Sequence, residues 1–150
     1  MRSGLTTTHL DVAAMFAAVA APGCGALAAF VGTVRNAHDG REVVAIDYSA
    51  YESMAAKSLE QIGTELAAAA PELRVLLRHR LGRLAVGEAS IAIVAASPRR
   101  DAALAAIRAA LERVKSEAPI WKREIFADGG ERWREDEPLA GAPGEGGRSD

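Results

Sequence analysis

Cysteine is almost missing from this chain: Cys24 is the only one in 150 residues. A single thiol excludes an internal disulfide framework and a cysteine-built metal site, and points to a reducing, cytosolic setting. No apolar run reaches the roughly 18 residues of a membrane-spanning helix. The first nine residues are polar and lack the signal-peptide order of charge, apolar block and cleavage site. Charge of one sign is lacking too. The formal net charge is -2, so no overall basic field draws the chain to nucleic acid or to an anionic membrane. His38 and His79 are not at metal-ligand spacing and no carboxylate–histidine cluster accompanies them in sequence, so no metal centre is expected. The glycines of residues 32–35 and 82–87 lack the spacing and the lysine of a phosphate loop.

Apolar residues are plentiful, at 49% of the chain, and 33 of them are alanines. That suits one domain whose helices pack closely through small side chains. Residues 10–21 read as a short helix with Asp11 near its start, closed by Pro22-Gly23. Residues 24–35 read as an apolar strand bounded by glycines, residues 36–40 as a turn or loop, and residues 43–51 as a second strand. A helix over about 53–70 carries Ala55, Leu59, Ile62 and Leu66 on one stripe and ends at Pro71. Residues 73–80 form a third strand, residues 81–88 a glycine-punctuated connection, and residues 89–96 a fourth strand apolar enough to be central. Ser97-Pro98 opens the last helix as N-cap and first helical residue, and the helix runs to about Glu117. A final strand covers 120–126, a turn follows at 128–130, and residues 136–150 read as a disordered tail rich in Gly and Pro. The order is an α+β pattern without internal repeats.

The stretch from Lys115 to Glu124 ends a helix, breaks it at Pro119 and starts a strand, with a lysine on each side of the break. On a helical projection Leu104, Ile107, Leu111 and Val114 define the apolar stripe, and Lys115 lies roughly 40° from Leu111 and roughly 20° from Leu104. Arg113 points the opposite way, toward solvent. A lysine beside a packed stripe has a partner or a task, or it snorkels past the stripe edge at the helix C-terminus, where the dipole favours cations. Lys122 follows Trp121 in a strand, so the two face opposite ways. If Trp121 packs in the core, Lys122 faces outward or into a cleft. Arg99 and Arg100 sit in the first turn of a helix, where cations oppose the dipole. Either they hold an anion there or they are simply solvated. Arg35 ends an apolar strand just before a flexible loop, a position equally common for functional and for surface side chains.

Several of these segments, in order over residues 10–135, resemble the large, catalytic subunit of molybdopterin synthase. They are Gly32-Thr33-Val34-Arg35-Asn36, Tyr51-Glu52-Ser53-Met54-Ala55, His79-Arg80-Leu81-Gly82 leading to Val86-Gly87-Glu88, Ser97-Pro98-Arg99-Arg100, the block from Lys115 to Glu124, and Gly130-Glu131-Arg132-Trp133. The resemblance implies an α+β fold: a hammerhead-like α/β domain with an added antiparallel β-subdomain, filling residues 1–135. It implies a cytoplasmic sulfurtransferase that turns cyclic pyranopterin monophosphate into molybdopterin. Two sulfurs would come from the C-terminal thiocarboxylate of a small ubiquitin-like subunit ending in Gly-Gly. It implies a homodimer within a heterotetramer, and no cofactor. Lys115 and Lys122 would be catalytic and would contact substrate, with Arg35, Arg99 and Arg100 binding the phosphate and pterin side. Arg99 stands where the family usually has histidine. Arginine keeps the cation but cannot serve as a base near neutral pH. Two other readings stay open: an idle subunit that only docks the ubiquitin-like partner, and an unrelated small α+β ligand-binding regulator.

Overall fold

Strand alternation sorts the chain into two sheets, each with one face turned to a helix or to the other sheet. The computed structural model describes residues 1–133; the expected tail at 136–150, and the end of the domain at 135, lie outside the described residues. The order is β1 (Gly4–Thr6), α1 (Val12–Val19), β2 (Ala26–Thr33), β3 (Ala37–His38), β4 (Arg41–Ala50), α2 (Glu52–Ala67), β5 (Arg74–Arg80), β6 (Gly82–Ala85), β7 (Ala89–Ser97), α3 (Arg100–Glu117), β8 (Ile120–Phe126) and β9 (Glu131–Trp133). The first sheet runs β1-β5-β7-β2, and the second runs β3-β4-β8-β9 with β6 also paired to β4. This is the expected α+β class, with a helix-covered sheet and an added antiparallel layer.

Strand β7 is central, as its apolar run suggests, and it is buried on both faces. Ala92, Val94 and Ala96 meet Met15 and Val19 of α1. Ile91 and Ile93 face the main core with Leu59 and Ile62 of α2 and Val114 of α3, and Ala95 meets Ala103 and Ala106 of α3. Asp11 caps α1, its carboxylate accepting from the Ala14 N–H at 3.0 Å.

Five local expectations are corrected. The connection at 81–88 contains strand β6, which pairs Leu84 with Ile46; Gly82 and Gly87 turn at its ends with positive φ. The turn or loop expected at 36–40 contains strand β3, whose Ala37 and His38 pair with β4; residues 4–6, which carry no sequence signal for an element, form β1 against β5, three residues being too few for alternation to show. Ser97 ends β7, and Arg99 is the N-cap of α3, without a side-chain cap bond. The packed face of α3 is Ala103, Ala106, Ala110 and Val114, while Leu104 is 58% exposed. Alanines let the helix lie close to the sheet, which turns the larger leucines to its flank.

Arg113 is not simply solvated either. It donates to Glu117 at 2.6 Å and, across the helix pair, to Glu65 of α2 at 2.6 Å. Those bonds raise its own pKa and lower the carboxyl pKa of Glu117.

Candidate functional site

Helix α3 ends because Pro119 follows. Ala118, held extended as a residue before proline is, caps α3 with its N–H on the Val114 carbonyl. Pro119 in turn accepts from the Tyr51 N–H at 3.1 Å, which fixes where β8 begins beside β4. From there alternation decides the rest. Ile120, Glu124 and Phe126 face inward and are buried, and Lys122 shares their face. Trp121 turns outward and packs edge to face on Tyr51, ring centroids 4.9 Å apart. Trp121 therefore belongs to the outer face, and Lys122 points into the molecule.

What Lys122 points into is a cavity of about 250 Å³ between the two sheets. Arg35, Lys115 and Lys122 all line it. They come from the end of β2, the last turn of α3 and the third residue of β8. Gly32 shapes the wall: a Cβ there would lie 2.9 Å from Ile91 Cγ2. A register shift between Gly32 and Thr33 bends β2 just before Arg35. Apolar side chains, among them Phe30, Ile91 and Leu111, complete the lining. Arg35 and Lys115 make no ion pair with any described residue, so the cavity presents cations over an apolar floor. Such an arrangement binds anions attached to a flat or apolar body.

Arg99 and Arg100 are not part of this cavity within one chain. They line a separate depression with Gly25, Ala26, Pro98 and Asp101. Arg100 and Lys115 stand at opposite ends of α3, about 22 Å apart at 1.5 Å per residue.

Besides Thr33 and Ser90, the titratable lining residues His38, Tyr48, His79 and Glu124 escaped the sequence reading. Glu124 was within reach of it, since it lies two residues from Lys122 on the same face of a strand. The others required the tertiary fold. Tyr48 is the cross-strand partner of Lys122, and its ring meets the edge of His79 at 5.0 Å. His79 Nδ1–H donates to the Arg80 carbonyl at 2.9 Å, which fixes the tautomer. Burial, against the opposing pull of that hydrogen bond and with a smaller push from the charge of Lys122, brings the imidazole down to about 4. His79 is thus a neutral wall residue at pH 7.

No group of three or more His, Cys, Asp or Glu side chains gathers as a metal site among the described residues. No described helix is long and apolar enough to cross a membrane.

Residues 5–117 match the family model described as MoaE protein. The molybdopterin synthase catalytic subunit of Culex quinquefasciatus is 46% identical over 126 residues, which cover 83% of this chain and 80% of that one. The Drosophila willistoni protein of the same name is 39% identical over 133 residues, 87% of this chain, and the chain spans only 36% of that longer relative. Among solved structures, molybdopterin synthase from Staphylococcus aureus superposes with a TM-score of 0.85 at 31% identity, covering 90% of this chain and 98% of that one. A complex of subunits 1 and 2 of the molybdopterin-converting factor from Helicobacter pylori shares the fold, with a TM-score of 0.73 at 22% identity over 90% of this chain and 91% of that one.

Proposed function

The chain belongs to the MoaE protein family, and from that premise we propose that it is the catalytic subunit of a molybdopterin synthase. In this reading it is a cytoplasmic sulfurtransferase that converts cyclic pyranopterin monophosphate to molybdopterin. The sulfur donor is the C-terminal thiocarboxylate of a small ubiquitin-like subunit ending in Gly-Gly; a small-subunit partner is in keeping with the two-subunit Helicobacter complex. The observation that carries the reading is the meeting of Arg35, Lys115 and Lys122 around one cavity.

The chemistry suits that cavity. Both reactants are anionic, and local cations have to hold them in a chain whose net charge is -2. Lys115, on the cavity rim, orients the thiocarboxylate and stabilises charge at the attacked carbon. Lys122, deeper, stabilises charge or supplies a proton. Arg35 takes the phosphate. The donor sulfur forms a C–S bond to a side-chain carbon of the pterin while a C–O bond at that carbon breaks, its oxygen leaving as water or on the opened cyclic phosphate, and an acyl thioester results. Water then breaks the acyl C–S bond, which leaves sulfur on the pterin and a carboxylate on the small subunit. A second donor repeats the sequence for the second sulfur.

The active assembly in this reading is a central pair of these chains with a small subunit at each end. Strand β2 is one of the two edge strands of the first sheet, and Leu27 and Val31 on it are 50% and 39% exposed. Leu104 lies about 180° round α3 from Arg113, on the flank away from α2. Pairing two β2 edges antiparallel about a two-fold axis covers these side chains. It also lays the Ala26 end of one copy, with Arg99 and Arg100, beside the Thr33 end of the other, where Arg35 stands. That supplies the arginines that one chain keeps apart, and makes Arg99 an anion ligand rather than a base.

Reconstitution tests the proposal. Purified protein, thiocarboxylated small subunit and cyclic pyranopterin monophosphate are expected to yield molybdopterin. Binding of the small subunit without product would favour the idle docking subunit instead.

A further inference from the structure

We propose that His38 is a positioning residue: clasped to buried Glu124, it sets the span across the cavity between Arg35 and Lys122. The proposal rests on the functional reading above, since the span matters only if the cavity holds an anion.

Strand β3, which carries His38, is poorly held by its own backbone. It pairs with β4 at two positions only, Ala37 with Glu42 and His38 with Arg41. The turn between them passes through Asp39 and Gly40, with φ of 51° and 76°. A two-residue ladder is marginal on its own. The imidazole supplies the missing tie. Its Nδ1 lies 2.9 Å from Glu124 Oε1, with the His38 and Glu124 side chains only 9% and 1% exposed. Arg132 of β9 approaches the same nitrogen at 2.7 Å and reaches Asp39 at 3.3 Å. The other ring nitrogen lies 3.5 Å from Asp39. One side chain therefore joins β3, β8 and β9.

Arg132 on β9 reaches Nδ1, the Glu124 carboxylate on β8 lies against the same nitrogen, and Asp39 in the turn faces the other. The position of the clasp links it to the site: Arg35 is three residues before His38, and Lys122 is two residues before Glu124 on the same strand face. Loosening the clasp frees the segment that carries Arg35 from the strand that carries Lys122.

Inorganic phosphate is the probe, with binding measured by calorimetric titration of the intact chain and melting temperatures followed in parallel. His38→Ala is expected to weaken phosphate binding about tenfold, a coupling ordinary for neighbours in one polar network. His38→Asn, which keeps a polar group near Nδ1, is expected to recover most of that loss. In a Glu124→Gln background His38→Ala is expected to add little. The inference is overturned if His38→Ala binds phosphate as wild type does, if Asn is no better than Ala, or if the two substitutions act independently. It is overturned equally if the wild-type chain binds no phosphate. A chain that binds phosphate through this clasp but yields no molybdopterin would instead sink the proposed function and leave the clasp standing.

Discussion

Strand β8 places two neighbouring cations on opposite faces, and they live in different electrostatic worlds. Outward, Arg123 donates to Asp47 at 2.7 Å and to Glu131 at 3.3 Å. Asp47 also takes both arms of Arg83 at 2.8 Å each. The register places Arg83, Asp47, Arg123 and Trp133 in one row across four strands, so each charge meets its opposite. Inward, Lys122 shares a cavity with Arg35 and Lys115, and the latter two have no carboxylate partner among the described residues. The outer face uses its charges to hold strands together. The inner face gathers positive charge and leaves part of it available. Sequence composition does not separate the two uses, because both faces are built from the run Lys122-Arg123-Glu124.

The strongest way to break that contrast is to remove a cavity cation. Lys115→Ala is expected to lower the rate of molybdopterin formation by about 10²- to 10³-fold, the usual loss when a charge-stabilising group is deleted. Its melting temperature should move by no more than about 4 °C, since the lysine is exposed and the helix-end dipole interaction is worth only about 0.3–1 kcal/mol. A large fall in stability with the rate preserved would return Lys115 to the role of a snorkelling helix-end lysine.

A second probe reads the inner face through stability. His79 has its folded pKa lowered from 6.5 to about 4. Between those values the unfolded chain takes up a proton that the folded chain refuses. Stability is therefore complete above about pH 6.5 and is lost as pH falls toward 4, by about 2–3 kcal/mol for a shift of this size. His79→Gln is expected to flatten that limb in thermal melts taken from pH 7 to 4. An unchanged limb would mean that the imidazole is hydrated and not walled in beside Lys122.

The ladder of elements was legible because its signals were periodic or punctuated. Strand β8 matched its expected limits at 120–126, and β7 stood out by its unbroken apolar run. The short strands β1, β3, β6 and β9 were not legible, being two to four residues long and specified by what they pair with. The face of α3 was misread for a related reason. Hydrophobicity favoured Leu104, but close approach to the sheet favoured Ala103, Ala106 and Ala110. At the site, Arg35, Lys115 and Lys122 were found from element ends and resemblance together. Their convergence depends on two sheets facing each other, and nothing local encodes that. His38, Tyr48 and His79 enter the cavity only through that tertiary arrangement.

The smallest expected effect lies on the outer face and completes the comparison. The bonds from Arg83 and Arg123 together outweigh the opposing effect of burial and hold the Asp47 carboxyl at about 2, below its ordinary 3.8. Because the folded pKa is depressed, the stabilisation is full above about pH 4 and is lost as pH falls through 2. Arg83 is 60% exposed on its side chain and Arg123 32%, so solvent screens the network and its worth is about 1 kcal/mol. Asp47→Asn is therefore expected to lower the melting temperature by about 3–5 °C at pH 7. The two proteins should converge as the pH approaches 2 and should differ less in high salt. Product formation should stay within about twofold of wild type, because every group the substitution touches lies across the sheet from the cavity. If Asp47→Asn instead lost activity at unchanged stability, the outer row would have to be transmitting position to Lys122 through β8, and the two faces of the strand would no longer be independent.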